Sequence, residues 1–169
     1  MWDQFLNTYF ISNGVGWAVL GAMFAVMFGC IGSAIGIRIA SSQAAGVLSE
    51  KPDLFGKLLV LMALPGTQGF YGFICSIFIA MKINLLGDIN MALQTKPAVG
   101  IGLLFVGFCV GMVQLYSSIN QGMTSAASIN LVGKRPDEGG RAILFPALVE
   151  TYAVVALLIG ILMINWLTA

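Results

Sequence analysis

The sequence contains no histidine among its 169 residues, and only 9% of the residues are charged. Because an ordinary soluble domain is about 25% charged, this composition excludes a typical soluble protein. The missing imidazole removes the commonest general base and metal ligand of enzymes. The net charge of +1 provides no basic surface for nucleic acid. With 59% hydrophobic residues, the chain is predicted to be an integral membrane protein.

Cysteines and basic residues near the N-terminus are also scarce. Cys30, Cys75 and Cys109 lie singly in apolar runs, and we interpret them as small buried apolar residues instead of a disulfide framework. The first residues, MWDQFLNTYFISNG, lack the basic segment that opens a secretory signal peptide. We therefore predict that the first apolar run is a retained membrane span.

Long apolar runs are abundant. Four of them reach the roughly 20 residues that a helix needs to cross a hydrocarbon core of about 30 Å. They cover residues 15–39, 54–83, 98–130 and 141–167. The third is too long for one crossing, and we expect it to project from the bilayer as continued helix. The predicted fold class is an all-α membrane protein with four transmembrane helices.

Basic residues are distributed unevenly among the three connections. Six of them flank the first and third connections: Arg38, Lys51, Lys57, Lys134, Arg135 and Arg141. The second connection has only Lys82 and Lys96. Since basic residues accumulate on the cytoplasmic side, we predict that the first and third connections are cytoplasmic and that both termini are outside.

The chain also contains an internal repeat. The segment that opens with KPD at Lys51 resembles the segment that opens with RPD at Arg135. Both copies continue with a proline and then a tyrosine: Pro65 and Tyr71 in the first, Pro146 and Tyr152 in the second. We therefore predict two helical hairpins in tandem, residues 1–84 and 85–169, that share one orientation in the membrane. Both prolines are expected to distort their helices.

Small residues recur every four positions in the first and third runs, as in Gly21, Ala25, Gly29 and Ser33, or in Gly107 and Gly111. This spacing lets helix backbones approach closely. We interpret it as packing, which suits the crowded inside of a ring or bundle, with spans two and four outside.

Glu150 is the only acidic residue within a predicted span, and Gly69 stands at its position in the first repeat. A charge at the centre of a membrane helix costs about 2.5–3.5 kcal/mol. Burial alone favours the neutral acid, whereas a bound cation keeps the carboxylate ionised. Because intramembrane carboxylates commonly mark ion pathways, we favour this role over a neutral acid hydrogen-bonded between helices.

Other polar residues accompany Glu150. Four residues of span two share one helical face at i, i+3, i+4 and i+7: Leu64, Thr67, Gln68 and Tyr71. Gln121 of span three is expected at a similar depth, counting about 1.5 Å per residue from the cytoplasmic ends. All these groups offer oxygen, which hard cations prefer. The surplus of neutral oxygens favours Na⁺, while a proton carrier needs only the carboxyl group and one or two acceptors.

These segments resemble the proteolipid (K or c) subunit of V-type and A-type rotary ATPases, most closely its bacterial, sodium-translocating form. LPGTQGFYGF, INQG and ALVETYA carry the resemblance, which covers nearly the whole chain. It implies a homo-oligomeric rotor ring in a prokaryotic plasma membrane. It also implies that Glu150 binds the ion, that Tyr71 holds Glu150 by a hydrogen bond, and that the remaining oxygens come from Thr67, Gln68, Gln121 and the carbonyl of Leu64.

The resemblance also implies partners: a stator membrane subunit that bears an arginine, the central-stalk subunits of a soluble ATPase sector, and membrane lipids. ATP hydrolysis would occur in that sector, since GKRPDEGG is not a phosphate-binding loop. Two alternatives stay open. One is the same ring carrying H⁺, and the other is a small secondary transporter or channel, which would need broken helices in both repeats.

Overall fold

The computed structural model describes all 169 residues and contains only helices and their connections. Four helical segments are long and apolar enough to cross a membrane. They are span one (Val15–Glu50), span two (Pro52–Lys82), span three (Pro97–Lys134) and span four (Pro136–Leu167). The predicted all-α class and the number of spans are confirmed.

The α-helices, in chain order, are α1 (Trp2–Leu6), α2 (Val15–Glu50), α3 (Phe55–Ala63), α4 (Thr67–Lys82), α5 (Ile89–Ala92), α6 (Pro97–Lys134), α7 (Gly139–Ala142) and α8 (Leu144–Leu167). Spans one and three are each a single helix, α2 and α6. Span two consists of α3 and α4, and span four ends with α7 and α8. A π-helix, Asn7–Ile11, follows α1.

Span one is longer than its apolar run predicts. The run ends near residue 39, whereas the helix continues to Glu50. Ala40 and Ala44 in this extension are fully buried and pack with Ile129 and Val132 of span three. Two long helices therefore support each other beyond the most apolar residues, which hydropathy alone does not indicate.

Proline interrupts spans two and four, as expected. A short 3-10 turn, Leu64–Gly66, separates α3 from α4 and contains Pro65. In span four, the helix is interrupted at Ile143, three residues before Pro146. Proline has no N–H and its ring clashes with the carbonyl four residues earlier, and each break lies within three residues of its proline.

Spans one and three pack backbone against backbone. A Cβ atom built on Gly111 would lie 2.6 Å from the carbonyl oxygen of Phe24, and one on Gly32 would lie 2.8 Å from the Cα of Leu115. Both distances are too short for real side chains. The small residues are thus required for this close approach, as predicted.

The interior has an apolar cluster towards each end and polar residues between them. One cluster includes Ala18, Ile79, Leu103 and Ile164, and the other includes Ala40, Leu58, Ile129 and Val132. Several buried polar residues lie between the clusters, among them Ser33, Gln68, Ser118 and Gln121. The fold therefore concentrates polar groups in the middle of the bundle.

The outward faces of the spans are apolar. Each span has large hydrophobic side chains that are more than half exposed, such as Met23, Phe73, Phe105 and Leu158. Cys30 and Cys109 also lie exposed. The expectation that the cysteines are buried is therefore correct only for Cys75. Such faces suit contact with lipid or with neighbouring membrane helices.

Candidate ion-binding site

Glu150 lies half-buried on α8 and receives hydrogen bonds from two other spans. The hydroxyl of Tyr71 donates to Glu150 Oε1 over 2.5 Å. The amide Nε2 of Gln121 lies 3.4 Å from Glu150 Oε2. Of the predicted neighbours, Tyr71 of span two and Gln121 of span three therefore contact the carboxylate directly.

Two fully buried glutamines extend this network. Gln68 Nε2 donates to Gln121 Oε1 over 2.5 Å. Gln121 Nε2 also donates to the carbonyl of Pro146 over 3.0 Å. The Gln121 amide is thus held by span two on one side and by the proline-distorted part of span four on the other.

Thr67 and Leu64 form the far end of the network, at the proline turn of span two. The Thr67 hydroxyl donates to the Leu64 carbonyl over 3.0 Å and lies 3.4 Å from Gln68 Oε1. The same carbonyl also accepts the backbone N–H of Thr67. Neither Thr67 nor Leu64 is hydrogen-bonded to Glu150. Both are connected to it through Gln68 and Gln121.

All six predicted site residues therefore belong to one connected network. Its groups are one carboxylate, two amides, two hydroxyls and one carbonyl, and no cluster of three or more His, Cys, Asp or Glu side chains occurs anywhere in the chain. A glutamine amide can present its oxygen after a half-turn of its end group. The set can therefore offer one negative charge and several neutral oxygens, which is the chemistry of a monovalent hard cation site.

Two serines that sequence reasoning did not assign to the site hold the proline turn. Ser33 Oγ accepts the N–H of Gly69 over 2.8 Å and lies 3.2 Å from the carbonyl of Gly66. Ser118 Oγ donates to the Pro65 carbonyl over 2.6 Å. Ser33 is one of the small residues that recur every four positions in span one, and the sequence pattern indicates only a packing role for them. Ser118 shares a helical face with Gln121, and that spacing could have revealed it.

Polar side chains of span three also attach span four. Gln114 Nε2 donates to the carbonyl of Ala153 over 3.0 Å, and Ser117 Oγ lies 3.4 Å from the carbonyl of Val149. Gln121 makes the third such contact. Gln114 lies two turns from Gln121 on the same face of span three. This spacing of two glutamines within an apolar run could have indicated that Gln114 also contacts another span.

The sequence also matches a known family. A profile of the ATP synthase C subunit family matches twice, at residues 20–79 and 104–163. The chain is 35% identical over 153 residues to the K subunit of the V-type sodium ATPase of Enterococcus hirae, covering 90% of this chain and 93% of the relative.

Two further relatives extend the comparison. The K subunit of the A-type ATP synthase of Methanocaldococcus jannaschii is 34% identical over 145 residues, covering 86% of this chain and 60% of the relative. The c' subunit of the V-type proton ATPase of Saccharomyces cerevisiae is 30% identical over 98 residues, covering 55% of this chain and 60% of the relative.

The fold and the site define a class: a multi-pass helical membrane proteolipid with one carboxylate at the centre of its bundle. The chain belongs to the ATP synthase C subunit family, among the rotor proteolipids of V-type and A-type ATPases. The predicted resemblance is confirmed. Because the relatives include both sodium and proton ATPase subunits, membership alone does not choose the ion.

Proposed function

We propose that this chain is the protomer of a homo-oligomeric ring that carries Na⁺ across the membrane by reversible binding at Glu150. Rotation of the ring would be driven by ATP hydrolysis in a separate soluble sector. Membership in the family supports the ring. Similarity to a V-type sodium ATPase subunit supports the choice of Na⁺.

The observation that carries this proposal is the set of hydrogen bonds to Glu150. Gln121 contacts the carboxylate through its amide group, and Tyr71 donates its hydroxyl. Gln121 in turn connects Glu150 to Gln68, and Gln68 connects to Thr67 and the carbonyl of Leu64. A proton carrier needs only the carboxyl group and one or two acceptors, so this larger set of oxygen groups supports a bound metal cation.

The surplus oxygens support the same choice. We propose that Glu150, Gln121, Gln68 and Thr67 provide side-chain oxygens to Na⁺ and that Leu64 provides its carbonyl, after the two amides turn their oxygens inward. Tyr71 would keep Glu150 in place. A divalent cation would leave one positive charge uncompensated in the low-dielectric interior.

Ion exchange would occur where the ring passes its stator. Glu150 is half-buried, so a small side-chain movement would expose it at the ring surface. An arginine of the stator membrane subunit would compete for the carboxylate through a charge-assisted pair and displace Na⁺ into a half-channel. The central-stalk subunits would attach to the cytoplasmic connections, and lipids would cover the apolar faces.

We further propose the orientation that the basic residues predict. The connections at Lys51 and Arg135 would be cytoplasmic and both termini outside, in the plasma membrane of a prokaryotic cell. The repeat would divide the chain into residues 1–84 and 85–169. One profile match within each part supports this division.

The experiment is the rate at which a carbodiimide labels Glu150 in purified membranes, across a Na⁺ titration at fixed pH. The reagent requires the protonated acid, so an occupied cation site blocks it. Saturable protection by Na⁺ but not by K⁺ is expected. Gln121→Ala should shift protection to higher Na⁺, whereas Gln43→Ala, a glutamine of span one bonded to Asn130, should not.

Labelling that does not respond to Na⁺ would indicate a proton site. If labelling ignores Na⁺ and follows pH alone, Glu150 carries protons, and the neighbouring oxygens serve only as its hydrogen-bond partners. The proposal of a sodium site would then be wrong, while the assignment to the family would stand.

A further inference from the structure

The segment before span one has no part in the proposed ion cycle. α1 and the following π-helix, Asn7–Ile11, precede the turn at Ser12–Gly14. Trp2, Phe5 and Leu6 fall at i, i+3 and i+4, so they share one helical face. Asp3, Gln4 and Asn7 occupy the other side. The segment is therefore amphipathic, with a short aromatic stripe.

The rest of the chain covers only part of this stripe: the rings of Tyr9 and Phe10 lie beside Phe5, with centroids 5.1 and 6.1 Å from its own. Trp2 is 77% exposed, and Phe5 and Leu6 are each nearly half exposed. Ile11, at the end of the segment, is 69% exposed. A stripe of this kind in water is unfavourable because apolar surface favours burial, so it needs a cover outside the chain.

The segment is attached firmly to the end of the bundle. Trp17 Nε1 donates to the carbonyl of Phe10 over 2.9 Å, and the two rings meet edge to face at 5.2 Å. Asn13 donates its amide to the carbonyl of Thr8. Its position relative to the spans is thus set by specific contacts.

The positions of the tryptophans indicate the depth of this segment in the membrane. All three tryptophans occur at this end: Trp2, Trp17 near the start of span one, and Trp166 near the end of span four. The opposite end, at the Lys51 and Arg135 turns, has none. Tryptophan is enriched where a membrane meets water, so this end of the spans lies at that boundary, and the segment lies with it.

We propose that residues 1–11 form an interfacial anchor whose Trp2, Phe5 and Leu6 insert between the lipid headgroups and the acyl chains. The segment has one acidic side chain, Asp3, and no basic one. It therefore lacks the charge that draws basic amphipathic helices to anionic lipids. The partner is a neutral lipid surface, recognised by apolar burial, and this holds whichever ion the ring carries.

The test is the fluorescence of Trp2 in the full chain reconstituted into phosphatidylcholine vesicles. Subtracting the emission of a Trp2→Phe variant isolates the Trp2 signal. Lipids brominated near the headgroup end of the acyl chain should quench Trp2 more than lipids brominated near the methyl end, and aqueous iodide should quench it little. Added phosphatidylglycerol should leave these results unchanged.

Two variants sharpen the test because both add one negative charge, on opposite faces of the segment. Phe5→Glu places a charge on the apolar stripe and should lower bromolipid quenching of Trp2 by about twofold or more, with a matching gain in iodide quenching. Gln4→Glu adds the same charge on the polar side and should change neither.

Several outcomes would overturn the proposal. Quenching of Trp2 in the parent chain by iodide but not by bromolipid would mean that the stripe faces water. Protection from both quenchers would mean that protein covers it. Equal effects of Phe5→Glu and Gln4→Glu would mean that the stripe does not insert.

Discussion

The two helical hairpins differ most at the centre of the bundle. In the first hairpin, Ser33 joins span one directly to the N–H of Gly69 in span two over 2.8 Å. In the second, the longer Gln121 reaches from span three to Pro146 and Glu150 of span four. The short side chain of Ser33 holds spans one and two close together. The longer side chain of Gln121 leaves room for a carboxylate between spans three and four.

The sequence repeat places Gly69 where the second copy has Glu150. A Cβ atom on Gly69 would lie 3.2 Å from Ser33 Oγ and 3.5 Å from Ser33 Cβ. The first hairpin thus leaves little room beyond a Cβ atom at this position. The close approach of Ser33 is one physical reason why a long carboxylate side chain fits less well there than at Glu150.

Removing the carboxylate should have the largest effect. Glu150→Gln keeps the size of the side chain but removes its charge, so the proposed Na⁺ site would lose its only charged ligand. ATP-driven Na⁺ uptake by vesicles that contain the assembled ATPase should fall to background. A Glu150→Gln enzyme that still pumps would disprove the role of this residue.

Moving the carboxylate to the first hairpin should not restore transport. In Gly69→Glu combined with Glu150→Gln, the new side chain meets Ser33, and its charge has no partner. An unpaired charge at the centre of a membrane helix costs about 2.5–3.5 kcal/mol, so the yield of folded ring should fall and transport should not return. Gly69→Ala is the control and should assemble. Recovery of transport in the double variant would show that the two gaps are equivalent.

The contact between spans one and three belongs to both hairpins, so disturbing it should destabilise the whole bundle. A Cβ atom on Gly107 would lie 2.9 Å from the Cα of Gly21 and closer still to its carbonyl. Gly107→Ala should therefore cost up to about 3 kcal/mol, seen as a lower thermal midpoint in detergent.

The control for this substitution is Gly46→Ala. Gly46 lies in the extension of span one, and a Cβ atom there would have nothing within 4 Å. Alanine in a helix is about 0.5–1 kcal/mol more favourable than glycine. Equal losses of stability in both variants would contradict the packing described for spans one and three.

The smallest effect is expected from Tyr71→Phe, which removes one hydrogen bond to Glu150. A net loss of about 1 kcal/mol corresponds to roughly fivefold weaker Na⁺ protection against carbodiimide. Tyr152→Phe is the matched control, because Tyr152 lies exposed on the same helix as Glu150. Similar shifts of Na⁺ protection in both variants would mean that Tyr71 has no specific role in holding Glu150.

Much of this arrangement could be predicted from the sequence because it is encoded locally. Apolar runs indicate spans, and the spacing of Thr67, Gln68 and Tyr71 follows from one helix. Their similar depth to Glu150 was predicted by counting residues from the first and third connections. These inferences depend only on helix geometry and membrane thickness.

The remaining features depend on packing between helices, which a single sequence does not display. Span one continues past its apolar run because Ala40 and Ala44 pack on span three. Ser33 looked like one more small residue, although its hydroxyl bonds to span two. The hydrogen bond from Gln114 to Ala153 likewise depends on where span four lies.

Equilibrium binding of radioactive sodium to the purified ring tests directly whether Glu150 holds Na⁺. Saturable binding that approaches one ion per chain is expected. K⁺ should not compete for it, and Glu150→Gln should abolish it. Binding that is absent, or that persists unchanged in Glu150→Gln, would contradict the assignment of a sodium site to Glu150.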